Sequence, residues 1–356
     1  MNNRLSTFRE HLREREISSA IITDEKNIGY LCSYRFEDGC LLITRENAYV
    51  ITDFRYKEEA EASVSSFFSV VTPENKPAFI ADILKAEGAR NVGYESRTMT
   101  VAEFHRYEGA VSLPFEPIGD ILPKMRAEKS EDEISFIKTA QKITEDAFKH
   151  LLSIIQPNMT ENDLSLELSY FMRKQGAEGN SFDIIAASGA ASALPHAKCR
   201  KSKILQGFLT LDFGCIYNGY CSDMTRTVSV GRATEEMKRV YNTVLEAQLA
   251  AIEFIKVGVS CAAVDAVARS IIQRAGYGDA FGHSLGHGVG LNVHELPNLS
   301  PRATEICLKA GNIVTVEPGI YLEGRFGCRI EDMGLVTESG FENFTKAPKE
   351  LIELFI

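Results

Sequence analysis

The sequence has no CxxC pair, no long apolar run and no excess of positive charge. Its eight cysteines (Cys32, Cys40, Cys199, Cys215, Cys221, Cys261, Cys307, Cys328) are scattered. That spacing excludes a zinc ribbon, and in a long chain it reads as reduced thiols and not as a disulfide frame. No stretch of about 18 apolar residues occurs, so no membrane span is expected. The opening MNNRLSTFREHLRERE is polar and amphipathic and holds no apolar signal core. A cytoplasmic protein is therefore expected. Lys and Arg number 39 against 49 Asp and Glu, a formal charge of −10. A nucleic-acid binder usually carries a basic face, so neither nucleic acid nor membrane is an expected partner. No short-period repeat appears.

What remains is an ordinary globular composition, 44% hydrophobic and 25% charged over 356 residues. At about 100–200 residues per domain that is enough for two. Short β-like runs alternate with helical patterns early on. SSAIIT, GCLLIT, NAYVIT and NVGYES read as strands, and RYKEEAEAS and the stretch from Pro77 to Ala86 as helices. This α/β region ends near Leu122 to Arg126. Ser130 with Glu133 is a capping-box signature, so a long helix begins near Glu131 and stops before Pro157. Further helices are expected over Glu161 to Gln175, Glu235 to Ile255 and Val259 to Ala275. The C-terminal part has a loose two-fold rhythm: two helices and then a β segment bearing carboxylates, twice over.

The first of those β segments is FLTLDFGCIYNGYCSDMTRTVSVG. Asn218-Gly219 between two β-like runs is a strong hairpin signal. A two-residue turn there sets Asp212 opposite Thr225 and Asp223 opposite Gly214. The two acids then share a face as diagonal neighbours, roughly 7–8 Å apart along the backbone. Leu209, Leu211, Phe213, Cys215, Met224 and Val228 make the strands largely apolar, so the acids are expected to be buried. Buried unpaired charge is expensive, and metal coordination is one remedy. Cys221 should share the Asp223 face and Cys215 should not; neither is expected to be a ligand. In FGHSLGHGVGLNVHE stand His283, His287 and His294, three of only seven histidines. Their spacing is not the HExxH of a zinc helix. Glu317 ends an apolar run, and Glu331 follows Ile330 in a second. Asp212, Asp223, Glu317 and Glu331 with one imidazole would balance two divalent ions. Such oxygen-rich ligation suits Mn, Co or Fe better than a thiolate-type zinc site.

The segments DFGCIYNGYCSDMTRT, GHGVGLNVHE, TVEPGIY and RIED stand in the order and spacing of the pita-bread metallopeptidases, which include methionyl aminopeptidase, aminopeptidase P and prolidase. The chain resembles that family from about Arg126 to its end. NIGYLCSY and TDFRY resemble the creatinase-like N-terminal domain of aminopeptidase P and prolidase. The resemblance implies an α/β (α+β) protein with a creatinase-like N-terminal domain over 1–126. A pita-bread catalytic domain over 127–356 follows, with an antiparallel sheet and pseudo-two-fold symmetry. It implies two divalent ions, Mn first with Co, Fe or Zn as alternatives, held by Asp212, Asp223, His287, Glu317 and Glu331. It makes Glu317 a proton relay as well. His196 and His294 match the histidines beside the scissile bond, and His283 a further substrate-side histidine. Tyr321 and Arg329 match a network behind the metals that also serves substrate binding.

The implied reaction is hydrolysis of the bond before a proline at position two of a peptide, and the implied assembly is a homodimer. Methionyl aminopeptidases usually lack the N-terminal domain, and creatinase lacks the ligands present here. Some prolidases carry an arginine shortly after the His-Glu pair, as HE-x-P-R; here HELPNLSP puts Asn298 at that place. The expectation is therefore an Xaa-Pro aminopeptidase, with an Xaa-Pro dipeptidase (prolidase) as the alternative. In that case another Arg or Lys would hold the substrate carboxylate, with Arg302 and Arg325 as candidates. A peptide-binding module on the same fold is the non-enzyme alternative.

Overall fold

The computed structural model describes residues 2–356. The chain divides into two compact units, Met1–Met125 and Arg126–Ile356.

The first unit is built on a six-stranded mixed sheet. Its strands are β1 (Ala20–Ile22), β2 (Cys40–Ile43), β3 (Ala48–Ile51), β4 (Ser69–Val71), β5 (Val92–Tyr94) and β6 (Phe115–Pro117), in the order β4-β3-β2-β1-β5-β6. The helices are α1 (Asn2–Glu14), α2 (Glu25–Cys32), α3 (Lys57–Ser63), α4 (Lys76–Ala86) and α5 (Val101–Glu108); α6 (Ile121–Ala127) ends at the junction. Ile21, Leu42, Ile51, Ile80, Leu84 and Val92 pack together as its core. The four strands expected from sequence are present. Edge strands β4 and β6 were not expected from the sequence.

The second unit repeats one plan. The first half pairs α7 (Glu131–Ile154) and α8 (Glu161–Lys174) with β7 (Gly179–Asn180), β8 (Ile185–Ser188), β9 (Gly207–Phe213), β10 (Cys215–Tyr217), β11 (Tyr220–Cys221) and β12 (Met224–Val230). The second half pairs α9 (Glu235–Phe254) and α10 (Cys261–Arg274) with β13 (Gly286–Gly288), β14 (Glu295–Leu299), β15 (Ile313–Val316), β16 (Gly319–Leu322), β17 (Phe326–Arg329), β18 (Asp332–Thr337) and β19 (Gly340–Asn343). A last strand, β20 (Glu353–Leu354), returns to the first half. The main sheets run β20-β12-β9-β8 and β14-β13-β15-β18-β19. Both are antiparallel except where β20 joins β12 in parallel.

Local chemistry starts the helices of this unit. Ser130 and Glu133 exchange side-chain and backbone bonds at the start of α7, satisfying two of the donors a helix leaves open. Thr160 caps α8 and Ser260 caps α10. Each cap residue also forms an isolated antiparallel bridge, Thr160 to Lys203 and Ser260 to Cys307. The two-fold rhythm thus extends to individual contacts. Each half has its own core. Phe148, Leu151, Leu164, Leu168, Leu211 and Phe213 pack in the first. Val240, Tyr241, Val264, Ile272, Val314 and Ile330 pack in the second.

Candidate metal centre

The hairpin forms in the expected register. Tyr217 pairs with Tyr220 across Asn218-Gly219, and Asp212 pairs with Thr225. Both turn residues have positive φ, 46° and 76°, as a type I′ turn demands. Gly214 breaks the strand: a Cβ there would meet the Ser222 carbonyl oxygen at 1.9 Å. Asp212 sits within β9, and Asp223 in the gap between β11 and β12. The second half supplies His287 from β13, Glu317 just after β15, and Glu331 at the bend between β17 and β18. Glu331 therefore lies between two strands instead of within one.

Asp223, His287 and Glu331 bring ligand atoms within 4.8 Å of one another. The His287 Nε2 lies 3.2 Å from Glu317 Oε1 and 3.6 Å from Asp223 Oδ2. Its Nδ1 faces the Gly288 carbonyl at 3.1 Å; a carbonyl only accepts, so Nδ1 carries a proton. Glu317 is held from behind, its backbone N–H donating to the Leu285 carbonyl at 2.8 Å. Glu331 Oε2 accepts from Thr225 Oγ1 at 2.7 Å. Arg329 donates to Asp212 Oδ2 at 2.5 Å, to Tyr321 Oη at 2.6 Å and to Thr225 Oγ1 at 3.0 Å. The guanidinium is thereby committed on both ends and at Nε.

Charge is crowded here. Burial pushes Asp223 and Glu331 well above the ordinary carboxylate range, and the neighbouring acids push the same way. Asp212 is raised too: burial outweighs the relief from Arg329. Burial works against the charged form of Glu317 as well, but the His287 hydrogen bond and nearby cations outweigh it and bring the carboxyl down to about 2. Burial opposes charge on His287, yet Glu317 raises its pKa overall. The imidazole thus does a cation's work among the acids. Asp212 Oδ1 is buried and meets no hydrogen-bond donor. An orphaned carboxylate oxygen beside two carboxyls that resist ionisation, with imidazole and oxygen donors only, fits divalent cations.

These groups line a cavity of about 880 Å³. Nine of the ten residues singled out from sequence are on its wall: His196, Asp212, Asp223, His283, His287, His294, Glu317, Arg329 and Glu331. Tyr321 is the exception. It stands behind, bonded to Arg329 and to His283 Nε2 at 3.0 Å, so it reaches substrate through other side chains only. His294 packs edge-on to His287 with ring centroids 4.3 Å apart. Burial, and then the charge of His287, lower its pKa. Burial lowers His283 also. Cys221 and Cys215 are buried off the cavity wall. Cys215 packs on α7, its thiol 3.3 Å from the Ala140 carbonyl.

The loops bearing His196 and His294 are each pinned by a buried carboxylate. Glu161 accepts from Arg200 Nε at 2.8 Å and Arg200 N at 3.0 Å. Glu295 accepts from Asn292 N at 2.9 Å and pairs with Arg126 and Lys129.

The family model for metallopeptidase family M24 matches residues 135–338, and that for the creatinase/prolidase N-terminal domain matches 4–127. The chain belongs to metallopeptidase family M24. It is a hydrolase, and the family implies divalent metal ions. An Xaa-Pro dipeptidase of Pyrococcus horikoshii is 36% identical over 99% of both chains. Two solved structures carry the same fold. One is an Xaa-Pro dipeptidase from Bacillus anthracis (TM-score 0.96, 42% identity, 98% of this chain and 99% of that one). The other is an X-Pro aminopeptidase from Thermotoga maritima (TM-score 0.90, 36% identity, 97% and 100%). The expectation of a pita-bread peptidase with a creatinase-like N-terminal domain is borne out. No helix among the described residues is long and apolar enough to cross a membrane.

Sequence reasoning missed Thr225 as a functional residue. Its register opposite Asp212 was legible, but its double role, donor to Glu331 and acceptor from Arg329, depends on a strand more than 100 residues away.

Proposed function

We propose that this M24 enzyme hydrolyses the peptide bond preceding proline at position two. In this reading Asp212, Asp223, His287, Glu317 and Glu331 hold two divalent ions, manganese or cobalt by the oxygen-rich donor set. Such a pair, when bound, makes water nucleophilic at neutral pH and polarises the carbonyl. The carrying observation is the cavity itself: four carboxylates and the His287 imidazole line it together with His196, His283 and His294.

The chain's own residues divide the remaining work. Glu317, ionised at neutral pH, takes the proton of the attacking water. It passes that proton to the prolyl nitrogen as the C–N bond breaks, leaving a free carboxylate and a secondary amine. His294, kept neutral by burial, donates a hydrogen bond to the developing oxyanion, and His196 to the oxyanion or the leaving nitrogen. Phe182, Ile185 and Val293 give the cavity an apolar wall suited to a pyrrolidine ring.

For the length of the peptide, Asn298 supports the aminopeptidase reading, because a neutral amide lines the cavity where a carboxylate-binding arginine would stand. One observation favours the dipeptidase reading. Arg302 and Arg325 are not on the cavity wall, and Arg325 pairs with Glu236. Lys198 is on that wall, exposed and without an ion-pair or hydrogen-bond partner among the described residues.

A product assay tests both. The protein is stripped, reloaded with manganese or cobalt, and given Ala-Pro and Ala-Pro-Ala. Alanine from the tripeptide alone means an aminopeptidase. Alanine from the dipeptide alone means a dipeptidase, and Lys198→Met should then raise KM. Cleavage of neither, with ions bound, rejects Xaa-Pro hydrolysis.

A further inference from the structure

Helix α10 carries Asp265 and Arg269 four residues apart, and both face inward. Asp265 is 1% exposed. The pair is bidentate, Arg269 Nε to Oδ2 at 2.7 Å and Nη2 to Oδ1 at 2.8 Å. Neither group stops there. Arg269 Nη1 donates to the Phe281 carbonyl at 3.0 Å, and Nη2 to the His283 carbonyl at 2.9 Å. Asp265 Oδ1 accepts from the Leu285 N–H at 3.0 Å. The backbone is thus gripped at 281, 283 and 285, every second residue of the segment that enters β13. The guanidinium also lies over the Phe281 ring at 4.3 Å, and that ring meets His283 edge-on at 5.1 Å and 87°. Gly282 adds nothing: a side chain there would touch no neighbour within 4 Å.

The result is a His283 whose ring has one orientation available. Its Nδ1 faces the Ser284 carbonyl at 2.8 Å and must donate. Its Nε2 then accepts from the Tyr321 hydroxyl at 3.0 Å, and Tyr321 accepts from Arg329. We infer that the Asp265–Arg269 pair is the positioning device of His283, fixing its tautomer and its place on the cavity wall. The role in turnover rests on the function proposed above. A lysine cannot replace Arg269, because a single ammonium lacks the planar fork that spans two carbonyls and a carboxylate at once.

The test combines a double-mutant cycle with imidazole nitrogen NMR. The variants are Arg269→Met, Arg269→Lys, His283→Ala and the doubles. Wild type should show a single His283 tautomer with the proton on Nδ1, assigned by its loss in His283→Ala. Both Arg269 variants should show mixed tautomers and lose about tenfold to hundredfold in kcat/KM, the scale of a small misplacement, at wild-type bound-ion stoichiometry. Adding either Arg269 change to His283→Ala should cost no further activity beyond about twofold, because the two act as one unit. Multiplying losses in the doubles, or an unaltered His283 signal in the Arg269 variants, would overturn the inference. If Arg269→Met does not fold, Arg269→Lys keeps the charge beside Asp265 and carries the same readouts. Wild-type protein inactive on every Xaa-Pro peptide would sink the proposed function alone, and the NMR arm would still decide the positioning role.

Discussion

Replacing Asp223 with asparagine should strengthen the ion-free protein and weaken its response to metal. Asp223, Glu331 and His287 put ligand atoms within 4.8 Å of one another in a buried site. Coulomb's law at that separation and an effective dielectric of about 20 gives a repulsion of about 3 kcal/mol between two full charges. Partial protonation relieves some of it, so the isosteric amide should add about 1–3 kcal/mol near neutral pH. The sign follows from the raised pKa of Asp223. A carboxyl whose folded pKa lies above its unfolded value gives full stability below about pH 3.9 and loses it as pH rises toward the folded value. The advantage of asparagine should therefore vanish in acid and open up above about pH 4. With manganese the advantage of asparagine should shrink. A ligand at 100 times its Kd stabilises by about 2.7 kcal/mol, and the variant forgoes much of that by losing a charged ligand. The assay is thermal unfolding by far-UV circular dichroism, with chelator and with excess manganese. Each kcal/mol should move the midpoint by about 2–4 °C in a domain of this size. A variant less stable than wild type in chelator, or one stabilised by manganese as much as wild type, would refute the reasoning.

Arg329→Met should cost the ion-free protein about 3–5 kcal/mol, because it leaves the buried Asp212 without its cation. Divalent ions should restore part of this, and equal urea-unfolding losses with and without manganese would contradict it. Asp332→Asn should cost a similar ~3–5 kcal/mol, since Arg226, 1% exposed, loses its carboxylate partner at 2.8 Å. Burial opposes charge on Asp332, but Arg226 and Lys349 outweigh it and hold its pKa below the usual value. Its stabilisation is therefore full above about pH 3.9 and lost as pH falls through the lowered folded value. Urea midpoints across acid pH should show the gap between wild type and variant closing, and a constant gap would exclude this account. Cys221→Ser should bind as many ions as wild type by elemental analysis. Loss of ions with an intact circular dichroism spectrum would show that the thiol does matter.

How far the sequence was legible depended on the range of the interaction. Local signals read well. Ser130 with Glu133 announced α7, Asn218-Gly219 announced the turn, and period two then placed Asp212 opposite Thr225. The expected site residues came partly from charge bookkeeping and partly from family resemblance, which alone singled out His196. Pairings between the halves were out of reach. Nothing in the local pattern of Arg226 marks it as the partner of Asp332, 106 positions on. Asp265 and Arg269 look like any exposed acid–base pair at helical spacing; only the fold buries the acid and brings residues 281–285 against it. Lys198 likewise gains meaning only once the cavity shows which cations have no partner.

The placement of the proposed ligands would couple ion binding to the integrity of this unit. Asp212 and Asp223 belong to the first half of the repeat, and His287, Glu317 and Glu331 to the second. The halves have distinct hydrophobic clusters, with Phe208 of β9 packing in the second. Between them, at the site, contact is polar. The Glu331 N–H donates to the Thr225 carbonyl at 3.1 Å, Arg226 donates to the Glu331 carbonyl at 2.6 Å, and Thr227 Oγ1 bonds both the Arg329 N–H and carbonyl at 3.2 and 2.9 Å. These bonds fix the register of β12 against 329–332, and that register sets the distances among the carboxylates. The same seam forces like charges together when no cation is bound. Hydrogen bonds hold the halves in register while the carboxylates push them apart, so cations bound there would strengthen the seam. A change that loosens the seam, such as loss of the Arg226–Asp332 pair, should therefore weaken ion binding without touching a ligand.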